Sequence, residues 1–514
     1  MANLTLELEA ERKKICQIAK DCGLDGFETV FELINYDQIS QIASYGGFPV
    51  RYPHWKFGME YEQLSKSYEY GLSKIYEMVI NTDPCYAYLM EGNSMMDQKL
   101  VMAHVYGHCD FFKNNVWFSK TNRKMMDEMA NHATRIRRYI DRHGYDTVER
   151  FIDSCLSLEN LIDRHSILNG PAKFSQSAPN VERSPHLFKV EKSYMQNYIN
   201  PPSYVEQEKQ KIITSNAQQT KFPSGPVRDV LSFLIHYAPL EDWQQDILTI
   251  IRDESYYFAP QGMTKTLNEG WASYWHSHMM TRHILNDSEI IDFADHHSGT
   301  TFMQMGGYNP YKVGIELFRD IEERWNKGCF GREWENCDDV REKKNWDKKT
   351  GLGRDKIFEI RKIYNDVTFI DEFLTEDFCV KNKMFVYKLN KETNKFEVDT
   401  RDFKAIKAQL LFQMTNFGQP IIKIEDANFE NRGELLLQHV HEGLDLQPNY
   451  MDATMKNLFL LWKRPINMIT IMSNEPQLFR YDGKDYTKHS LSAEKQTENN
   501  AMGNLAATST TNTP

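Results

Sequence analysis

The chain has 514 residues, a formal net charge of −11, and 41% hydrophobic, 12% aromatic and 26% charged residues, values of a folded globular protein of roughly two to three compact units rather than a disordered, fibrous or membrane one. No apolar stretch approaches the roughly 20 residues that cross a bilayer, and the acidic balance, with only short basic runs such as Arg135–Arg138, leaves no nucleic-acid footprint. The eight cysteines contain no CxxC pair, which fits reduced thiols and argues against a disulfide framework or a cysteine-based zinc site.

The N-terminal residues have neither a basic start nor an apolar signal core, so a cytoplasmic location is expected. Apolar residues at three- and four-residue spacing predict successive helices at Leu4–Cys22, Met59–Val79, Met95–Phe112, Arg123–Arg142 and Val148–Arg164. The aromatic run Cys85–Glu91, between Asp83-Pro84 and Gly92-Asn93, suits a short strand leading into the helix that follows. Residues 165–227 hold seven of the 18 prolines together with Gly, Ser and Gln, which predicts a long covering loop broken by short helices. Helical periodicity returns at Pro226–Tyr257, Leu267–Leu285 and Tyr311–Lys327, then after a charged irregular stretch once more up to about Val367.

Beyond residue 370 strands become frequent. Met384–Leu389 and Phe396–Val398 flank a turn, and Pro420–Glu425, Glu434–His439, Met468–Met472 and Leu478–Tyr481 join helices at Phe403–Thr415 and Tyr450–Trp462 in a small α+β domain. The expected architecture is therefore mainly α: a large helical domain over 1–370, a small α+β domain over 371–489 and a disordered tail over 490–514.

Chemistry concentrates in Ala103–Phe112, where His104 and His108 stand four apart on one helix face. Imidazoles at that spacing converge on a zinc-like ion, although Leu100, His104 and His108 also make a mostly apolar stripe that would pack without one. Thr266–His276 places Glu269, Ser273 and His276 on one face of another helix, and Glu269 would complete a three-ligand site with a fourth position open. A carboxylate in a first helical turn is also stabilised by the helix dipole alone. Glu254 continues the stripe Trp243, Ile247, Ile250, Ile251; it either meets a cation or proton donor or lies past the helix end in solvent. Asp295-His296-His297 and Gly306–Lys312 read as polar loops ahead of a helix starting near Pro310, suited to substrate or merely to turns. Histidine and carboxylate ligands suit iron or manganese as well as zinc, so an oxidative enzyme stays open beside a hydrolase.

The runs Gly47–Glu60, His104–His108, Asn268–His276 and Gly307–Gly314, with Thr415–Pro420, Asn431–Leu435 and Trp462–Pro465, resemble the stage V sporulation protein R (SpoVR) family over nearly the whole chain. That resemblance implies a bacterial cytoplasmic protein linked, in spore formers, to assembly of the peptidoglycan spore cortex. It also offers a serine-kinase-like protein and a von Willebrand A-type protein as partners, since relatives are often encoded beside them. A second likeness, to gluzincin-type zinc peptidases, implies His104, His108 and Glu269 as metal ligands. Those enzymes carry a glutamate base after the first histidine, where this chain has Val105, so hydrolysis would need another base such as Glu254, Glu91 or His276. Tyr308 or Tyr311 would stabilise the oxyanion. A peptide or amide hydrolase acting on peptidoglycan-related substrates, or a scaffold or signalling partner retaining a degenerate metalloprotease-like core, are the two functions these residues imply.

Overall fold

A computed structural model describes residues 4–69, 77–170, 200–207, 221–390 and 395–491. Most of the proline-rich segment expected as a covering loop, and the tail after residue 491, lie outside the described residues. In chain order the main elements are α1 (Leu6–Asp21), β1 (Thr29–Ile34), α2 (Tyr36–Ser44), α3 (Trp55–Glu69), β2 (Glu77–Ile80), β3 (Cys85–Met90), α4 (Met95–Asn114), α5 (Met125–His143) and α6 (Tyr145–Leu156). They continue with α7 (Val230–Tyr237), α8 (Asp242–Met263), α9 (Lys265–Met279), α10 (Ile290–Thr300), α11 (Pro310–Lys327), α12 (Gly353–Ile363), α13 (Asp366–Phe373), β4 (Val386–Asn390), β5 (Lys395–Thr400) and α14 (Phe403–Met414). The last are β6 (Ile421–Phe429), β7 (Glu434–Val440), α15 (Pro448–Trp462), β8 (Ile466–Met472), β9 (Glu475–Tyr481) and β10 (Tyr486–Ser490). The protein is mainly α, with a C-terminal five-stranded sheet.

The chain groups into two compact units, residues 1–149 with 254–419, and residues 150–253 with 420–514. In the first, β1 pairs parallel with β3 from Thr29↔Cys85 to Ile34↔Met90, and β2 pairs antiparallel with β3. This small sheet fixes where α4 begins, because only a four-residue turn separates Met90 from the helix and Ser94 caps it, accepting the N–H of Asp97. Side chains of α1, α4, α9, α11, α12 and α13 share one apolar core, to which Met384 and Ile406 also belong.

In the second unit the strand order is β10-β9-β8-β7-β6, with β7 and β8 parallel and every other neighbouring pair antiparallel. A parallel pair needs a crossover, and α15 provides it, burying Met451, Met455, Leu458, Leu461 and Trp462. Glu434, at the start of β7, accepts from Asn467 Nδ2 at 2.9 Å, Arg432 Nε at 2.7 Å and Arg480 Nε at 3.2 Å. Burial alone would raise its pKa, but these donors, Arg480 foremost, hold it at about 2.

Several sequence expectations need correction. Of the helix predicted over Met59–Val79, the described part runs to Glu69, residues 70–76 lie outside the described residues, and Glu77–Ile80 pairs as a strand, because Val79 and Ile80 find partners in β3. Asp295–Thr300, expected as a loop, forms the end of α10, where Phe293 supplies the buried side chain. The helix predicted to Leu285 changes at Met280 into a π-helical turn, Met280–Ile284. The strands β1 and β10 and the helix α2 were not expected at all.

Candidate metal centre

Helix α4 is buried all the way round from Gln98 to Phe112, the mark of a core helix rather than an amphipathic one. Its polar residues His104, His108 and Asp110 must therefore be satisfied by partners from other elements. Helix α9 is buried almost as completely, from Thr266 to Ser277. Small residues let these helices approach backbone to backbone: a Cβ on Gly107 would lie 2.7 Å from Ala272 Cα, and one on Gly270 would lie 2.5 Å from Gly314 Cα. No side chain fits at either distance, so glycine at 107 and 270 is what allows α4, α9 and α11 to meet.

Asp110 ties the crossing together. Its Oδ2 accepts the Trp271 indole N–H at 2.8 Å, and its Oδ1 accepts from Asp25 N–H at 2.8 Å and Arg361 Nη1 at 3.1 Å. At the start of α9 the Asp366 carboxylate accepts the N–H groups of Thr266 and Leu267, each at 2.8 Å, two donors a helix terminus otherwise leaves unpaired. Burial pushes the Asp366 pKa up to about 7, with those hydrogen bonds pulling the other way. Tyr308 shares a 2.9 Å hydrogen bond with Thr266 Oγ1 in the same first turn.

This framework brings His104, His108 and Glu269 together. One candidate ligand atom from each lies within 4.8 Å of the other two, and all three residues are buried. Each histidine Nε2 is 3.4 Å from Glu269 Oε2. That is long for a charge-assisted hydrogen bond, but it matches the edge of a tetrahedron whose metal–ligand bonds are about 2.1 Å, which is about 3.4 Å. Glu269 Oε1 accepts from Lys265 Nζ at 2.5 Å. Burial alone would raise the Glu269 pKa, yet His108, the hydrogen bonds of both imidazoles and Lys265 hold it well below the usual carboxylate range.

Both imidazoles have partners on their far nitrogens. His108 Nδ1–H donates to Asn268 Oδ1 at 2.9 Å, and His104 Nδ1 is 2.8 Å from His276 Nδ1. The first holds a proton on His108 Nδ1 and leaves its Nε2 facing Glu269, where a bound metal ion would take the place of the Nε2 proton. Burial, then the nearby His104 and His297, press the His276 pKa well below its usual value. His276 is thus held as a neutral imidazole, and its Nε2 is buried without a hydrogen-bond partner among the described residues. Tyr311 stacks on His104 with ring centroids 6.2 Å apart. The His276 ring is 5.7 Å from that of His297, which lines a 560 Å³ cleft shared with Ser277, Lys312, Glu316 and Arg319.

The remaining candidates have other partners. Of the two outcomes left open for Glu254, the structure has the buried one, and its oxygens accept from Arg51 Nη2 at 2.6 Å and His132 Nδ1 at 3.0 Å. Glu91 is exposed at the end of β3, and Val105 is fully buried among apolar side chains. Sequence reasoning passed over Asn268, Asp110 and Asp366. The first two sit inside the motifs it singled out, and their signal was an unexplained polar residue on a fully apolar helix face.

Fold and site define a mainly helical protein with a buried two-histidine, one-carboxylate cluster at a helix crossing. The chain belongs to the SpoVR family: "SpoVR like protein" matches residues 3–419, and "SpoVR-like C-terminal domain" matches 420–473. The junction coincides with the unit boundary after Gln419. An uncharacterized Escherichia coli (strain K12) protein, YcgB, is 33% identical over 360 residues, covering 64% of this chain and 68% of the relative. No solved structure matches. Among the described residues no helix is long and apolar enough to cross a membrane.

Proposed function

We propose that this protein is a metal-dependent hydrolase of peptide or amide bonds, holding one divalent ion, which we take to be zinc, on His104, His108 and Glu269. The observation that carries this reading is the pair of 3.4 Å separations from both histidine Nε2 atoms to one Glu269 oxygen, with Asn268 holding the far side of His108 in the orientation a metal-bound histidine requires. When bound, such an ion polarises a carbonyl and lowers the pKa of a bound water. Asn268 and His276 act as positioning residues, each fixing one imidazole. Tyr311, stacked on His104, is the tyrosine we assign to the oxyanion. Tyr308 is engaged by Thr266 and secures the start of α9. The family's link to the spore cortex suggests peptidoglycan-related peptides as substrates, and the serine-kinase-like and von Willebrand A-type proteins as partners.

A second reading rests on Val105. Valine accepts no proton, both Glu254 oxygens are engaged by Arg51 and His132, and Glu91 faces solvent. On that reading the cluster is a metal-stabilised scaffold, and the protein works through its partners. The two are separated by incubating metal-loaded full-length protein with a panel of peptidoglycan stem peptides and counting newly released amines. Hydrolysis predicts release by the wild type that falls by at least about two orders of magnitude in Glu269→Gln. Equal release by both proteins, or none by either, contradicts hydrolysis; no release from a wild type that carries its metal favours the scaffold.

A further inference from the structure

We propose that Cys22, His278 and His283 form a second metal site, distinct from the first, that takes a thiolate-preferring ion of the zinc, cobalt(II) or copper(I) class. Their Sγ and imidazole nitrogens lie within 4.8 Å of one another. They come from parts of the chain that no spacing motif connects: Cys22 ends α1, His278 is in the last turn of α9, and His283 is in the π-helical turn beyond it.

That turn is an independent sign of a ligand. In an α-helix, residues five apart point about 140° away from each other. Here the Leu285 N–H bonds to the Met280 carbonyl at 3.0 Å, a five-residue step. The extra residue in the turn brings His283 back to the side of His278, with ring centroids 6.2 Å apart. Such turns are rare and concentrate at functional sites. The other two ligands are also held in place. Arg354 Nη2 donates to the Cys22 carbonyl at 3.1 Å, and the His278 ring packs edge-on to Trp275 at 5.5 Å and parallel to Tyr274 at 6.4 Å.

The surroundings select the ion. Arg282 and Arg354 act electrostatically on both Cys22 and His278, a positive field against any cation, so affinity here has to come from the donor atoms themselves. A thiolate and two imidazoles instead suit borderline and soft metals. Three ligands leave a fourth position, and His283 is exposed, so the ion is reachable from solvent.

Full-length protein stripped of metal and titrated with cobalt(II) tests this, because only a sulfur ligand gives a near-ultraviolet sulfur-to-cobalt charge-transfer band and the His104/His108/Glu269 centre has none. We expect the band to saturate at one cobalt per chain in His108→Ala and to reach the same final amplitude in the wild type, where any cobalt taken by the first centre adds nothing to the band. It should vanish in Cys22→Ser, and cobalt should bind at least about ten-fold more weakly in His283→Ala, whose exposed position leaves the fold intact by circular dichroism. Absence of the band in the wild type, its persistence in Cys22→Ser, or unchanged affinity in His283→Ala overturns the proposal. Each outcome is independent of whether the first centre binds metal or cleaves amides.

Discussion

Glu254 and Glu269 are both buried carboxylates facing histidine, yet their surroundings differ in kind. Glu254 is enclosed by a guanidinium at 2.6 Å and an imidazole at 3.0 Å, one for each oxygen, distances at which charge-assisted hydrogen bonds are fully formed. Around Glu269 the two imidazoles stand off at 3.4 Å from a single oxygen, while their far nitrogens are bonded at 2.8 and 2.9 Å. The first cluster is a closed ion network; the second has the spacing of ligands around an ion. Composition alone therefore does not distinguish a structural salt bridge from a metal site; distances on the near and far sides of each ring do.

The closed cluster should break hardest. Removing one partner of a buried pair strands the other charge, so Arg51→Met is expected to cost about 3–5 kcal/mol, read by denaturant unfolding, while the refolded protein keeps its metal. A loss of metal without loss of stability would reverse the roles assigned to the two clusters. Gly270→Ala sharpens the contrast from the other side. Its new Cβ has 2.5 Å to Gly314 Cα, so α9 and α11 must part, at about 1–3 kcal/mol, and metal affinity should fall with stability.

Asn268→Ala acts on the open cluster alone. Freeing the His108 ring should weaken metal binding about 10- to 100-fold by competitive chelator titration, while the metal-free protein loses only the about 1–3 kcal/mol of one buried hydrogen bond. A third carboxylate, Glu434 in the second unit, supplies the scale for an ordinary satisfied ion. Its folded pKa of about 2 lies below the usual value near 4.5, so its contribution is present above pH 4.5 and is lost as pH falls toward 2. Glu434→Gln is expected to cost about 1 kcal/mol near neutrality, and the difference from wild type should shrink between pH 4.5 and 2 in thermal melts.

Local periodicity made α4 and α9 legible, and with them the faces that carry His104, His108, Glu269 and His276. The inward direction of Glu254 was legible too, but its partners were not, since Arg51 and His132 come from other elements and nothing in their neighbourhoods announces a salt bridge. What joins α9 to α4 and to α11 was written in Gly107 and Gly270 respectively, which look like poor helix formers until the neighbouring backbone is in view. β1 escaped notice because it is six residues long and its partner β3 is parallel and non-local. The π-helical turn after Met279 was invisible for a related reason: a one-residue slip in hydrogen bonding leaves the apolar pattern of α9 intact while redirecting His283.

The central claim is that the near-side gap around Glu269 belongs to an ion. Metal analysis of protein purified without chelator or added metal, on the wild type and on His108→Ala, tests it most directly. The account predicts a divalent metal in the wild type and about one equivalent per chain less in the variant; equal metal content in the two proteins would contradict it.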